Sequence, residues 1–329
     1  MSEIVQLYGL FARSHPYFCL AAGLAVLYFG AEWLVAASAR LAVRFGVKPL
    51  LVGVTIVAMG TSAPEFVVSV KAALDGVGGL AAGNVVGSNI CNTALVLGLS
   101  ALICPILISK QFFKFDIPVL IGASFLAWLF LSDGVIKAWE GVVILALFAG
   151  YMAYNIATAK PEEGADAPVA DGKKISVVKN ASLALLGLGM LMGGATFLVD
   201  GAKYIARSFD VSEAVIGLTI VAFGTSLPEL ATSVVAAVRK HNDIAIGNVV
   251  GSNLFNILCI LGVVGTMSGS EGMKTEGVVL RDLLIMSLIN FVLLVPLIAK
   301  RMLNRWIGAL LTGAYVAYIL ILAFSKKTV

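Results

Sequence analysis

The chain has 329 residues, of which 60% are hydrophobic and only 13% are charged, and its net charge at pH 7 is +4. Soluble domains contain about 45–50% apolar and about 25% charged residues, so the composition excludes a soluble enzyme and a nucleic-acid-binding domain. No segment has the composition of a separate soluble domain. We therefore interpret the chain as one polytopic membrane protein that is not an enzyme.

Ten apolar segments follow one another along the chain and predict an all-α membrane fold with ten transmembrane helices. They are residues 17–39, 49–73, 79–106, 115–133, 137–158, 178–203, 214–238, 244–267, 279–299 and 304–324. Between the fifth and sixth segments, KPEEGADAPVADGKKIS is rich in Pro, Gly and charge and is typical of a solvated linker. The predicted organisation is a first five-helix repeat over 1–159, a cytoplasmic linker over 160–177 and a second five-helix repeat over 178–329.

Two blocks of the chain are nearly identical and define a repeat with a constant offset of 164 residues. The first reads VGVTIVAMGTSAPEFVVSV followed by GNVVGSNICN, and the second reads IGLTIVAFGTSLPELATSV followed by GNVVGSNLFN. From Gly53 to Gly98, 25 of the 46 positions are identical to their partners. Because five helices is an odd number, the two repeats must cross the membrane in opposite senses. The sequence therefore predicts an inverted repeat, which is typical of secondary transporters with a site near the membrane midplane.

The distribution of Lys and Arg predicts the orientation of the chain. Fourteen of the 23 basic residues fall in loops on the side of the linker, and the richer side is expected to be cytoplasmic. We therefore expect both termini outside and the linker inside.

Each block carries one glutamate, Glu65 or Glu229, in an apolar run directly after a Thr-Ser-x-Pro sequence. A charged side chain inside a membrane is unfavourable and by default marks a functional site. Proline has no N–H, so Pro64 leaves the carbonyl of Gly60 without its helical partner. Freed carbonyls cannot face lipid, but they can line an ion-filled cavity. Residues 58–62 are therefore candidate backbone ligands.

Hydroxyl and amide side chains accompany both acids in the same pattern. The hydroxyls three and four residues before each glutamate share its helical face, and they are Thr61, Ser62, Thr225 and Ser226. Further along each block, a polar residue recurs at every fourth position, giving the stripes Asn84, Ser88, Asn92 and Asn248, Ser252, Asn256. We expect Ser88, Ser252, Asn92 and Asn256 to face ions. Whether Asn84 and Asn248 do so, or only join helices, stays open at this point.

The chemistry of this donor set favours a hard cation. Carboxylate, carbonyl, hydroxyl and amide oxygens without thiolate or imidazole suit Ca²⁺ and similar ions, and Ca²⁺ takes about 6–8 oxygens. Glu65 and Glu229 supply a charge of −2, which one Ca²⁺ or two Na⁺ neutralise, and a third Na⁺ would need neutral oxygens. The alternative is that the two acids only brace a helix crossing.

At these motifs the chain resembles the cation/calcium exchanger superfamily and, within it, the prokaryotic sodium/calcium exchangers. The sequences GTSAPE and GTSLPE, each followed by GNVVGSN, are similar to the two alpha-repeats of that family. Segment count and the short linker also fit, so the resemblance covers nearly the whole chain. It implies a ten-helix inverted-repeat protein of the prokaryotic inner membrane. Its first helices in each half, near 17–39 and 178–203, are expected to slide against the rest.

The resemblance also implies roles for individual residues. Glu65 and Glu229 match the central carboxylates that bind Ca²⁺ and Na⁺. The other matches are backbone carbonyl donors at Thr61, Thr225, Ala58 and Ala222, and hydroxyl ligands of Na⁺ at Ser62, Ser88, Ser226 and Ser252. In several relatives the position of Asn256 is an aspartate, which in the potassium-dependent branch is tied to K⁺. Here both Asn92 and Asn256 are neutral, which argues against potassium dependence.

The favoured function is a secondary active transporter that exchanges Na⁺ for Ca²⁺ by alternating access and exports Ca²⁺ on the Na⁺ gradient. We expect no cofactor besides the transported ions, and a lipid bilayer but no nucleic acid as partner. An H⁺/Ca²⁺ antiporter on the same fold is the alternative, because two acids can also carry protons. A cation channel or a non-transporting membrane scaffold is the second alternative.

Overall fold

The computed structural model describes residues 2–159, 176–210, 222–269, 271–275, 280–294 and 302–325. Twelve helices lie in these described residues: α1 Ser2–Ser14, α2 Pro16–Phe45, α3 Pro49–Thr61, α4 Ala63–Leu74, α5 Gly78–Ile103, α6 Phe112–Leu131, α7 Ala138–Ala157, α8 Val177–Ser208, α9 Leu227–Val238, α10 Asn242–Thr266, α11 Leu280–Phe291 and α12 Arg305–Ser325. A one-turn helix, Ala222–Gly224, precedes α9, and a 3₁₀ turn, Val292–Leu294, follows α11.

The described residues contain seven helices that are long and apolar enough to cross a membrane, namely α2, α5, α6, α7, α8, α10 and α12. The pair α3 and α4, bent by 50°, makes an eighth candidate span. The predicted segments 214–238 and 279–299 lie partly outside the described residues, as does most of the predicted linker 160–177. The chain is thus an all-helical membrane protein in the part that the structure describes, apart from four two-residue strands.

Two features of the fold are not evident from the sequence. The helix α1 was not predicted, because one amphipathic helix of 13 residues is too short to give a spanning signal. The strands β1 Ile106–Leu107, β2 Val135–Ile136, β3 Met273–Lys274 and β4 Met302–Leu303 were not predicted either, because pairs of two residues carry no periodicity. β1 pairs with β4 and β2 with β3, both antiparallel, so each pair joins a loop of the first repeat to a loop of the second.

The helices α2 and α8 pack against each other along their length through small residues. A Cβ on Gly23 would lie 2.8 Å from the carbonyl oxygen of Gly194, and a Cβ on Gly30 would lie 2.9 Å from that of Gly187. Small residues allow this close approach of helix backbones in membranes. Gly23 therefore faces Gly194, whereas Gly30, further along α2, faces Gly187, which comes earlier in α8. The two helices run antiparallel.

The two helices with the GNVVGSN sequence lie at the centre of the bundle. In α10, 94% of an apolar stretch of 18 residues is buried, and in α5 72% is, against 39% or less in the other five candidate spans. α10 packs closely on α3, since a Cβ on Gly251 would lie 2.6 Å from the Cα of Val54. Both central helices contain a π-helical segment, Cys91–Val96 in α5 and Phe255–Ile260 in α10.

Candidate cation site

Glu65 and Glu229 occupy equivalent places, each in the first turn of a helix that begins directly after a break. Ser62 is the N-cap residue of α4, with φ −85° and ψ 10°, and Ser226 is the N-cap residue of α9, with φ −88° and ψ 5°. The two breaks therefore have nearly the same backbone conformation. The proline that follows each cap is in the first helical turn, where its missing N–H is tolerated. The partial positive charge of a helix N-terminus favours an acid at this place. Both glutamates are fully buried, with 1% and 0% of their surface exposed.

The site is closed by hydrogen bonds that connect the two repeats. The hydroxyl of Ser62 donates to Oε1 of Glu229 over 2.8 Å. The hydroxyl of Thr61 is 3.1 Å from the amide oxygen of Asn248. On the other side, Thr225 lies beside the Glu65 carboxyl group. The structure therefore brings Glu65 and Glu229 to one place between the repeats.

The Ala58 carbonyl oxygen, a candidate ligand, is occupied in this conformation. It accepts hydrogen bonds from the backbone N–H of Ser62 at 3.0 Å, the Thr61 hydroxyl at 3.2 Å and the Ser252 hydroxyl at 3.4 Å. The two hydroxyls would have to rotate away before this carbonyl could bind a cation. Its repeat counterpart Ala222 begins the one-turn helix Ala222–Gly224.

Several buried polar atoms of the candidate site have no hydrogen-bond partner of standard geometry among the described residues. They are both carboxyl oxygens of Glu65, Oε2 of Glu229, Oγ of Ser226 and both amide atoms of Asn92 and Asn256. An unpaired buried polar group is strongly unfavourable, and such orphans are exceptions that call for a ligand, ion or water. Ser88 is also buried, one helical turn before Asn92.

The amides Asn92 and Asn256 both lie in the π-helical segments of the two central helices. A π-helical segment is rare, inserts an extra residue into the turn and occurs frequently at functional sites. The structure thus places the last residue of each polar stripe at a local change in helical pitch, and at equivalent positions in the two repeats.

Asn84 and Asn248 join helices, which is one of the two roles that the sequence left open for them. The Asn84 amide donates to the Glu65 carbonyl at 3.2 Å and to Ser69 at 2.9 Å. The equivalent Asn248 amide donates to the Glu229 carbonyl at 3.3 Å and to Ser233 at 2.9 Å. Each amide holds the backbone of the neighbouring glutamate in place.

Ser69 and Ser233, both completely buried, are two further residues beside the site that the sequence does not single out. Each follows its glutamate by four residues, and the two differ by the repeat offset of 164. That spacing places them on the same helical face as the acid. It is the feature of the sequence that points to these two serines.

The candidate site contains two acids and otherwise neutral donors. Among the described residues there is no cluster of three or more His, Cys, Asp or Glu side chains that could hold a metal ion. A cavity of about 270 Å³ extends from this region along α8. Its lining includes Pro64, Thr225 and Pro228 at the two breaks, and Thr196 and Asp200 on α8.

Comparison with known proteins shows to which family the chain belongs. The family model for the sodium/calcium exchanger protein matches residues 15–157 and, separately, 179–324. An uncharacterized membrane protein of Methanocaldococcus jannaschii is 40% identical over 304 residues, which cover 91% of this chain and 95% of that protein. The inner membrane protein YrbG of Escherichia coli K12 is 34% identical over 314 residues, covering 92% and 95% of the two chains.

A solved structure has the same fold. The sodium–calcium exchanger NCX_Mj, soaked with Na⁺ and Sr²⁺, superposes with a TM-score of 0.80 at 34% sequence identity, covering 93% of this chain and 97% of that one. This chain is an integral membrane protein that belongs to the sodium/calcium exchanger family.

Proposed function

We propose that this protein exchanges Na⁺ for Ca²⁺ across a prokaryotic inner membrane by alternating access, and that it normally exports Ca²⁺ on the Na⁺ gradient. The observation that carries the proposal is the buried pair Glu65 and Glu229, which has three carboxyl oxygens without a hydrogen-bond partner among the described residues. The Ser62–Glu229 hydrogen bond holds this pair at the junction of the two repeats.

Charge balance determines what such a pair can carry. Two carboxylates in a dry site need two positive charges, because an uncompensated buried charge is very unfavourable. One Ca²⁺ satisfies this with oxygen ligands from both glutamates and from the carbonyls of Thr61 and Thr225, and two Na⁺ satisfy it equally well. A further Na⁺ would occupy neutral oxygens. The proposed neutral donors are Ser62, Ser226, Ser88, Ser252, Ala58, Ala222, Asn92 and Asn256.

An inverted arrangement of the repeats is part of the proposal, and the antiparallel pair α2 and α8 supports it. Gly30 and Gly194 are separated by the repeat offset of 164, so α2 and α8 are equivalent helices. The glycine contacts described above run in opposite directions along them. Equivalent helices that run antiparallel are what opposite membrane crossing requires.

The strand pairs support inversion independently. β1 follows α5 and β3 follows α10, so β1 and β3 have equivalent places in the two repeats. β1 lies before the start of α6. β3 pairs with β2, and β2 lies after the end of α6, so β3 is at the other end of this helix. Because α6 has 20 residues and spans about 30 Å, the equivalent strands lie at opposite ends of a membrane-length helix.

Access to the site is proposed to alternate through movement of α2 and α8. The cavity along α8 reaches Thr225, beside the Glu65 carboxyl group. Sliding of α8 past the two proline breaks would close this route, and the equivalent movement of α2 would open one on the other membrane side. The linker side is proposed to be cytoplasmic, with both termini outside.

Reconstituted protein tests the proposal directly. Proteoliposomes loaded with Na⁺ should take up Ca²⁺ when diluted into Na⁺-free buffer, and Glu65→Gln or Glu229→Gln should abolish the uptake. Glu140→Gln is a matched control, because Glu140 is also a buried glutamate in a helical first turn but bonds to the backbone of Lys137. Uptake that needs a pH gradient and not Na⁺ would favour H⁺/Ca²⁺ antiport. Unitary currents would favour a channel.

A further inference from the structure

Four buried side chains form a continuous hydrogen-bonded chain outside the candidate site. The Asn253 amide donates to the Thr93 hydroxyl at 2.6 Å, which donates to the Asn290 amide oxygen at 2.8 Å. The Asn290 amide nitrogen donates to Ser124 at 2.8 Å. We call Asn253, Thr93, Asn290 and Ser124 the Thr93 network. It connects α10, α5, α11 and α6, and each member is exposed by 1% or less.

The bonds of the Thr93 network all run in one direction. Each hydroxyl accepts one bond and donates another, ending with Ser124, which donates to the Leu120 carbonyl at 2.8 Å. Both amide atoms of Asn290 are used. Interhelical side-chain bonds of this kind hold membrane helices in a fixed rotation. The network therefore fixes α5 at the position of Thr93.

Thr93 is adjacent in sequence to Asn92, inside the same π-helical segment. Because a π-helical segment is a rare departure from the regular helix, we expect its conformation to depend on the contacts around it. Both amide atoms of Asn92 are buried without a hydrogen-bond partner among the described residues, so no hydrogen bond described there orients its side chain. The adjacent residue Thr93, in contrast, is held by two side-chain hydrogen bonds.

The second repeat holds its π-helical segment by different means. At the repeat offset of 164, Thr93 corresponds to Ile257, and Ser124 corresponds to Leu288. In the second repeat, Phe255 instead packs its ring against Phe66 at 6.2 Å and Phe148 at 5.9 Å. Apolar packing thus takes the place beside Asn256 that side-chain hydrogen bonds take beside Asn92, although the Thr93 network also reaches α10 through Asn253.

We propose that Thr93 and Asn290 are positioning residues that orient the Asn92 amide towards the transported cation. This inference rests on the proposed function, since it assigns Asn92 a part in cation binding. Loss of one hydrogen bond between membrane helices changes an equilibrium constant about threefold on average and by about twentyfold at most. Loss of the Thr93 bonds should therefore weaken Ca²⁺ binding about threefold to tenfold without abolishing it.

Equilibrium binding of radioactive Ca²⁺ to the purified full-length protein in nanodiscs tests this proposal. Thr93→Val keeps the shape but removes the hydroxyl, and Asn290→Leu removes its partner; both should raise the Kd for Ca²⁺. Thr93→Ser keeps the hydroxyl and should bind like the unmodified protein. Ser100→Ala is the control, because Ser100 is a buried hydroxyl in the same helix whose one hydrogen bond among the described residues is within that helix, to the Val96 carbonyl.

Double variants separate positioning from general destabilisation. If Thr93 acts through Asn92, adding Thr93→Val to Asn92→Ala should cause no further loss, whereas adding it to Asn256→Ala should give the full loss. Unchanged binding in Thr93→Val, or a full additional loss on Asn92→Ala, would overturn the proposal. Failure of both single variants to fold would also overturn it, because the network would then be purely structural. Absence of Ca²⁺ binding by the unmodified protein would instead reject the proposed function as well.

Discussion

The Ser62 hydroxyl donates a 2.8 Å hydrogen bond to Oε1 of Glu229, a residue of the other repeat. The equivalent hydroxyl, that of Ser226, has no hydrogen-bond partner of standard geometry among the described residues. The two halves of the site are therefore chemically unequal in this conformation, although their sequences and backbone angles match. Glu229 accepts a hydrogen bond from its neighbour Ser62, whereas neither carboxyl oxygen of Glu65 has a hydrogen-bond partner of standard geometry among the described residues.

This inequality predicts unequal effects of removing the two serine hydroxyls. Ser62→Ala breaks a bond to a buried acid, so it should lower the free energy of unfolding of the ion-free protein by about 1–3 kcal/mol. Ser226→Ala breaks no bond of this kind and should change it by less than about 0.5 kcal/mol. Chemical denaturation in chelator provides the measurement. Equal effects of the two substitutions would contradict the asymmetry.

Ligand binding should stabilise the protein through the same carboxyl pair. At a Ca²⁺ concentration 100 times the Kd, a single site adds about 2.7 kcal/mol to the free energy of unfolding. Thermal unfolding should therefore move to higher temperature with Ca²⁺, and chelation should reverse the shift. Glu65→Gln and Glu229→Gln should lose most of the shift, whereas Glu140→Gln should keep it. A shift that survives in both site variants would place the bound Ca²⁺ elsewhere.

The close contact of α3 and α10 predicts a sensitive position at Gly251. A Cβ there would meet Val54 Cα at 2.6 Å and Ala58 Cβ at 2.8 Å, so Gly251→Ala should force the helices apart and move Ser252 away from the Ala58 carbonyl. We expect a loss of about 1–3 kcal/mol in stability and slower transport. Gly150→Ala is the control, since its Cβ meets no described atom within 4 Å and alanine favours a helix. Tolerance of Gly251→Ala would contradict this packing.

The sequence predicted the parts of this structure that the repeat and the apolar runs encode. Glu65 and Glu229 could be found because an acid in an apolar run stands out, and their shared offset placed them together. The Thr93 network could not be found in this way, because Thr93 and Asn290 have no polar counterparts in the other repeat and are 197 residues apart. Ser62 and Ser226 likewise have nearly identical surrounding sequences, GTSAPE and GTSLPE. Only the packing of the repeats makes their hydrogen bonding different.

The ion pair between Glu32 and Arg239 predicts which of two conformations of the protein is more populated. The pair, at 2.6 Å, ties α2 to the end of α9, while the cavity lies open beside α8. At the repeat offset, the equivalent residues are Thr196 and Asp75, which cannot form an ion pair. If α2 and α8 slide as proposed, this bond is available only in the present conformation and favours it.

Thiol accessibility measures that preference. In a cysteine-free background, Thr196→Cys lies in the cavity wall and should react with a water-soluble thiol reagent. Adding Arg239→Gln should slow the reaction by up to about fivefold, the range of an exposed ion pair, because the open conformation is populated less. Leu185→Cys, on an exposed apolar part of α8, is the control for reaction from the lipid side. Unchanged reactivity of Thr196→Cys after loss of the ion pair would show that Glu32 and Arg239 do not bias the equilibrium.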